Sequence, residues 1–318
     1  MATLYIDRKL VALRNKGQSL ELRQTDGEIQ RIPFKMVDRV VIHGSVETDT
    51  GTLGALADAG IDVALLTGRY GRCQANVSGR FGNDVRRRIA QYRAHLDAEA
   101  AAAIAGCLLR RKLAAQQRLL ASAMRQRADK RHPLTKGQKT LQELRSRIAT
   151  KPLSLEQLRG TEGAAASAYF SAYRHLFPES LRFTARRRRP PPDPVNAVLS
   201  LGYTLLYAEA VKAVHGAGLD PFLGYLHEPS HGRESLAADF MEPLRPRIDA
   251  LVWQLFRERG LKVDHFTTRE NACLLGKAGR SRFYAAYEET APALRRWLRL
   301  FTHGFIKHLL ERYPEEDR

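Results

Sequence analysis

The apolar positions change period once along the chain. Up to about residue 80 they fall in short alternating or β-branched runs: Leu4-Tyr5-Ile6, Leu10 to Arg14, Ser19 to Arg23, Glu28 to Ile32 and Arg39 to His43. Gly17, Asp26-Gly27 and Pro33 punctuate them, so the pattern predicts strands, with Asp26-Gly27 as a hairpin turn. Thr50 to Ala59 predicts one helix, Ile61 to Leu66 a buried strand and Cys73 to Val77 a last strand. From Asn83 onward the period is helical. The expected fold class is α+β: a small N-terminal β domain over 1–82, read as a packing or dimerisation module, then a larger all-helical domain over 83–318.

Within the helical part, residues 86–127 predict one long helix with Ile89, Leu96, Ile104, Leu108, Leu109, Leu113, Leu119 and Leu120 on its apolar face. Ala128 to Lys139, with Pro133 and Gly137, reads as a basic loop. Ser154 followed by Gln157 predicts a capped helix start, and Leu155, Leu158, Ala165, Tyr169 and Tyr173 form the stripe behind it. Asp193-Pro194 and Asp220-Pro221 read as two further helix openings. The first runs to His215 with Gly216 as its stop, and the second is short, ending at His227 before Pro229. A third helix begins near Ser235, with a kink expected at Pro243 and Pro246. Tyr284, Tyr287, Trp297 and Phe301 read as core.

Charge alters the picture more than composition does. The chain of 318 residues, 44% hydrophobic, carries a net +18. Residues 86–151 hold 17 bases against four acids, whereas 1–85 hold 11 against ten and 152–318 hold 24 against 20. Pairing along a helix cannot neutralise that excess, and a polyanionic backbone is the expected partner. The candidate phosphate contacts are Arg86, Arg87, Arg88, Arg110, Arg111, Arg186, Arg187, Arg188, Arg189, Arg245, Lys277 and Arg280. Cys73, Cys107 and Cys273 have neither a zinc-ribbon spacing nor a disulfide framework, which implies a reducing compartment. The N-terminus lacks a signal pattern and no apolar run approaches the roughly 20 residues of a membrane span, so a cytoplasmic protein with no membrane partner is expected.

The candidate chemistry lies in Glu162, His227, Asp239 and Glu242. Glu162 sits on an apolar stripe, where an ionised carboxylate needs a metal, an arginine or several donors beside it. Asp239 and Glu242 are three apart and share a helix face. One imidazole with carboxylates and no thiolate suits Mn²⁺ or Mg²⁺ rather than zinc. Spacing alone does not bring these residues together: a salt bridge accounts equally for Glu162, and a core histidine is the plainer reading of His227.

Three ordered motifs then point to a family. Gly160-Thr161-Glu162-Gly163-Ala164-Ala165, Arg189-Pro190-Pro191-Pro192-Asp193-Pro194-Val195-Asn196-Ala197, and His227 through Ser235-Leu236-Ala237-Ala238-Asp239-Phe240-Met241-Glu242-Pro243-Leu244-Arg245-Pro246 resemble the CRISPR adaptation integrase, the Cas-one family, over essentially the whole chain. The resemblance implies a metal-dependent DNA integrase and endonuclease of prokaryotic antiviral defence. Such an enzyme inserts captured double-stranded DNA as new spacers by 3′-hydroxyl attack at a repeat boundary. It implies Glu162, His227 and Glu242 as ligands of Mn²⁺ or Mg²⁺, with Asp239 a further catalytic acid. Which of Asp239 and Glu242 is the direct ligand stays open. It also implies a homodimer formed through the β domain and a small partner protein of the Cas-two family.

Overall fold

The structure, a computed structural model, describes residues 2–7, 11–24, 26–66, 73–79, 82, 84–187, 190–270 and 272–314. Leu10, Asn83, Arg188, Arg189 and the last four residues lie outside them. The chain divides into two compact units, Met1–Phe81 with Tyr287–Glu289, and Gly82–Ala286 with Thr290–Arg318.

The first unit is built on two four-stranded sheets. β1 (Ala2–Ile6), β5 (Val37–His43), β7 (Asp62–Leu66) and β8 (Cys73–Val77) make one, in that order, with β1, β5 and β7 parallel and β8 antiparallel. β4 (Ile29–Pro33), β3 (Ser19–Arg23), β2 (Val11–Asn15) and β6 (Val46–Thr48) make the other. Gly27, at φ 86°, turns β3 into its antiparallel partner β4, as the Asp-Gly pair predicts. β6 is a strand that the apolar pattern does not announce. Its three residues pair parallel to β2 through Val11↔Val46 to Leu13↔Thr48. The helix α1 (Thr50–Asp58) opens on Asp49, whose carboxylate accepts from Thr52 N. Leu56 joins Leu13, Leu20, Val40 and Val63 in the unit's own hydrophobic core.

The second unit is mostly helical. The long helix expected over 86–127 is two, α2 (Val85–Leu96) and α3 (Ala98–Gln126). Asp97 separates them in an extended conformation and caps α3 by accepting from Ala100 N at 3.0 Å. The basic loop expected at Ala128–Lys139 is instead helical, a 3₁₀ turn leading into α4 (Arg131–Thr150). Pro133 stands in the first turn of α4, where a missing N–H is tolerated, and Gly137 sits where a Cβ would reach within 2.6 Å of Ala172 Cβ. That neighbour lies on α5 (Leu155–Tyr173), which opens with the expected Ser154–Gln157 capping box.

α6 (Pro194–Gly216) is the unit's core helix, with Val195, Val198, Leu199, Leu205, Leu206 and Val211 buried. By length and composition it could cross a membrane, contrary to the expectation that no run is long enough, and 67% of its apolar window is buried in the protein. After it the predicted short helix through Phe222 to His227 is absent; those residues form a turn and loop. Asp220 Oδ1 caps only Phe222 N. α7 (Ser235–Met241) and α8 (Arg245–Arg257) follow, separated by a 3₁₀ turn at Glu242–Leu244 where Pro243 and Pro246 predict the kink. The domain is not all-helical: β9 (Phe266–Arg269) and β10 (Ala272–Leu275) make an antiparallel hairpin before α9 (Lys277–Arg312).

Candidate metal centre

The loop that replaces the expected short helix is organised by one carboxylate. Asp239, fully buried on α7, accepts from the backbone N–H groups of Tyr225 at 2.6 Å, Leu226 at 3.0 Å and His227 at 3.0 Å. Amides taken by a side chain cannot donate along a helix, so the loop wraps Asp239 instead. Gly224 permits the wrap, since a Cβ there would lie 2.8 Å from the backbone of Ser235. Asp239 Oδ1 also meets His227 Nδ1 at 2.7 Å. A carboxylate can only accept, so Nδ1 carries the proton and Nε2 is the nitrogen left to face the centre.

Nε2 faces Glu242 Oε1 at 3.9 Å. Glu242, in the 3₁₀ turn, is sealed from solvent yet meets Arg245 Nε at 2.9 Å and Lys112 Nζ at 2.7 Å. The same ammonium lies 2.5 Å from Glu162 Oε1, contributed by α5. Burial alone would raise the Glu242 carboxyl, but the positive charges of Arg245 and Lys112, with His227, hold it down at about 2. The structure thus brings Glu162, His227 and Glu242 to one place. Asp239 stands behind His227 with both oxygens committed, leaving Glu242 as the carboxylate of the acidic pair that faces the centre.

Among the described residues no three His, Cys, Asp or Glu side chains close around a common point. Between Glu162 and Glu242 stands the Lys112 ammonium. The donors still fit a hard divalent ion. Glu242 Oε2 is a buried oxygen beside a cation, yet among the described residues it has no donor at a hydrogen-bonding angle. The imidazole has the carboxylate-oriented form usual in metal ligands. Glu162, 31% exposed, marks the open side.

Lys112 ends the basic run Arg110-Arg111-Lys112, which reads as surface charge, but it is 5% exposed. It falls in the buried α3 series Ala105, Leu108, Leu109, Lys112, Leu113 and Gln116, a periodicity that gives its direction away. The other phosphate candidates are spread. Arg86 and Arg87 pair with Asp84, and Arg87 also donates to Ala217 O. Among the described residues, Arg88 Nε is buried without a hydrogen-bond partner. Arg186 turns inward to Asn196 and Ser200 and stacks on Tyr203, which Arg245 covers at 4.7 Å. Arg187 and Lys277 are exposed, and Arg280 donates to Leu275 O. Exposed Arg110 borders a cavity of about 360 Å³ with Gln142 and Arg145.

Arg111 borders a second, about 370 Å³, which Arg118, Arg247, Leu244 and Pro246 also line. This basic cavity adjoins the turn that carries Glu242. Trp297, expected in the core, is half-buried and forms part of its wall, stacked on Phe301. Tyr284 and Tyr287 are buried as expected.

The sequence profile of the family described as CRISPR associated protein Cas1 matches residues 4–289. CRISPR-associated endonuclease Cas1 1 of Thermodesulfovibrio yellowstonii is 36% identical over 313 residues, 98% of either chain. Among solved structures, a casposase bound to integration product superposes with TM-score 0.83 at 21% identity, covering 100% of this chain and 93% of that one. A chain of a Cas6-RT-Cas1–Cas2 complex gives TM-score 0.83 at 22% identity, covering 98% of this chain and 35% of that one. At those identities the two structures speak for the fold.

Proposed function

The chain belongs to the Cas1 family of CRISPR associated proteins, and from that premise we propose that it is a metal-dependent DNA integrase and endonuclease that inserts captured DNA as new spacers. The observation that carries the reading is that one ammonium bridges Glu162 and Glu242 while His227 Nε2 faces the other oxygen of Glu242, beside a cavity lined by Arg111, Arg118 and Arg247. Glu162, His227 and Glu242 would hold Mn²⁺ or Mg²⁺, which supplies charge neutralisation at the scissile phosphate and activation of the attacking 3′-hydroxyl. Asp239 fixes the imidazole so that Nε2 faces inward. Arg245 keeps the Glu242 carboxyl ionised. The exposed arginines of α3 and Arg247 bind the DNA backbone without reading sequence. In the same proposal the β unit mediates homodimerisation, with Ile29 and Met36 exposed on it, and a Cas2 partner completes the cytoplasmic assembly.

The test is strand transfer from a duplex bearing a free 3′-hydroxyl into supercoiled DNA carrying a repeat, with Mn²⁺. Joined product is expected, and His227→Ala should lose it by roughly a thousandfold, as removal of a group acting in the transition state does, while still binding duplex. Nicked circles without joining would reduce the protein to a hydrolase, and parallel loss of binding would make His227 structural.

A further inference from the structure

The centre holds a cation of its own. Lys112 reaches it from the buried face of α3, and its ammonium lies 2.5 Å from Glu162 Oε1 and 2.7 Å from Glu242 Oε2. These are oxygens of the two carboxylates assigned above to the metal. With Arg245 on the other oxygen of Glu242, the Glu162 and Glu242 carboxylates already have two cationic partners without an ion. Separations of 2.5 and 2.7 Å suit N–H···O contacts, whereas a Mg²⁺ ion sits at roughly 2.0–2.1 Å from its oxygens. Ion and ammonium therefore cannot both occupy the inner position.

We propose that Lys112 is a resident counter-ion that occupies the metal position in the ion-free protein and must withdraw when a divalent ion enters, so that Lys112 sets the ion concentration at which the centre loads. The flexible four-carbon stem of lysine lets the charge move without moving α3. Withdrawal is directed toward Glu162, the partly exposed side of the centre, since Glu242 is closed off. Without such a counter-ion, Glu242 and Glu162 would face each other in the ion-free state with only Arg245, on the far oxygen of Glu242, to offset their charge. The inference rests on the metal centre proposed for Glu162, His227 and Glu242.

Calorimetric titration of the full-length protein with Mn²⁺ separates the two. Lys112→Met and Lys112→Gln, each verified as folded by circular dichroism, should bind Mn²⁺ at least tenfold more tightly than the unaltered chain. Equal or weaker binding by both variants overturns the counter-ion role while leaving the metal centre standing. No Mn²⁺ binding by any of the three proteins overturns the metal centre and Lys112 together. A readout needing no variant is reductive dimethylation of the unaltered protein, followed at Lys112 by mass spectrometry. The rate is expected to rise at least fivefold between EDTA and saturating Mg²⁺, and a rate indifferent to Mg²⁺ also overturns the proposal.

Discussion

Glu242 and Asp249 are both sealed from solvent, seven positions apart, and their surroundings are unlike. Around Glu242 stand an ammonium, a guanidinium and an imidazole. Around Asp249 stand tyrosines: Tyr169 donates to Oδ2 at 2.8 Å, Tyr203 donates to Oδ1, and Tyr173 donates to the backbone carbonyl at 2.7 Å. Neutral donors satisfy a carboxylate in place, and the result is a fixed knot joining α5, α6 and α8. Cations beside a carboxylate whose second oxygen lacks a directed donor leave it ready to exchange partners. Two buried acids of the same unit thus differ in what they can do, and the difference lies in the partners, not in burial.

The largest consequence is expected in catalysis. Glu242→Gln should reduce Mn²⁺-dependent strand transfer by roughly a thousandfold, whereas Asp249→Asn should change it by less than about tenfold. Asp239→Asn belongs between them, with a loss of about 10- to 100-fold in metal affinity or activity, because it acts through His227 and the loop amides rather than on the reacting atoms. Rates for the three variants, each checked for folding, decide the matter. Equal losses in Glu242→Gln and Asp249→Asn would erase the distinction between the two sites.

A smaller and different effect is expected from charge that surrounds neither acid. Replacing Arg111, Arg118 and Arg247 together by alanine should weaken duplex binding and flatten its dependence on salt, by about 0.9 in log–log slope for each phosphate no longer neutralised. Binding measured between low and moderate salt is the check, and an unchanged slope assigns these arginines to solvent. Because backbone contacts position DNA without specifying its sequence, the weakening should be similar for repeat and unrelated duplexes.

The two acid sites also differ in how far the sequence foretells them. That Glu162, His227 and Glu242 lie near one another is legible from the motifs, and the capping box at Ser154 and the hairpin at Asp26-Gly27 are legible because their signals are local. Lys112 reads as surface because its charge outweighs its place in an apolar series. The short helix expected before His227 fails for a non-local reason, since its amides donate to Asp239, 12 to 14 positions downstream. The break at Asp97 has a local signal, an aspartate able to cap the next turn, which the continuous apolar period masks. Asp249 leaves no trace at all: its partners come from two other helices, and an aspartate near the start of a helix is ordinary.

Acid titration gives the finest separation of the pair, because their carboxyls move in opposite directions. Glu242 is held at about 2 against an ordinary 4.5, so its ionised form favours the fold; the contribution is complete above pH 4.5 and fades as pH falls toward 2. Asp249 is pushed by burial up to about 6 from 3.8, although Tyr203, Tyr169 and the nearby guanidinium groups lower it. The folded protein therefore binds that proton more tightly than the unfolded chain, and ionising Asp249 costs stability as pH rises from about 4 to 6. Asp249→Asn keeps the shape, lets the tyrosine hydroxyls reorient and removes the titration. Relative to it, the unaltered protein should lose on the order of 2–3 kcal/mol between pH 4 and 6, an upper bound for a single group moved this far. Thermal or denaturant unfolding of both proteins across that window is the measurement. A stability difference that stays flat with pH would mean that Asp249 is ionised throughout, held by its tyrosines as firmly as Glu242 is by its cations, and would remove the contrast between neutral and charged partners.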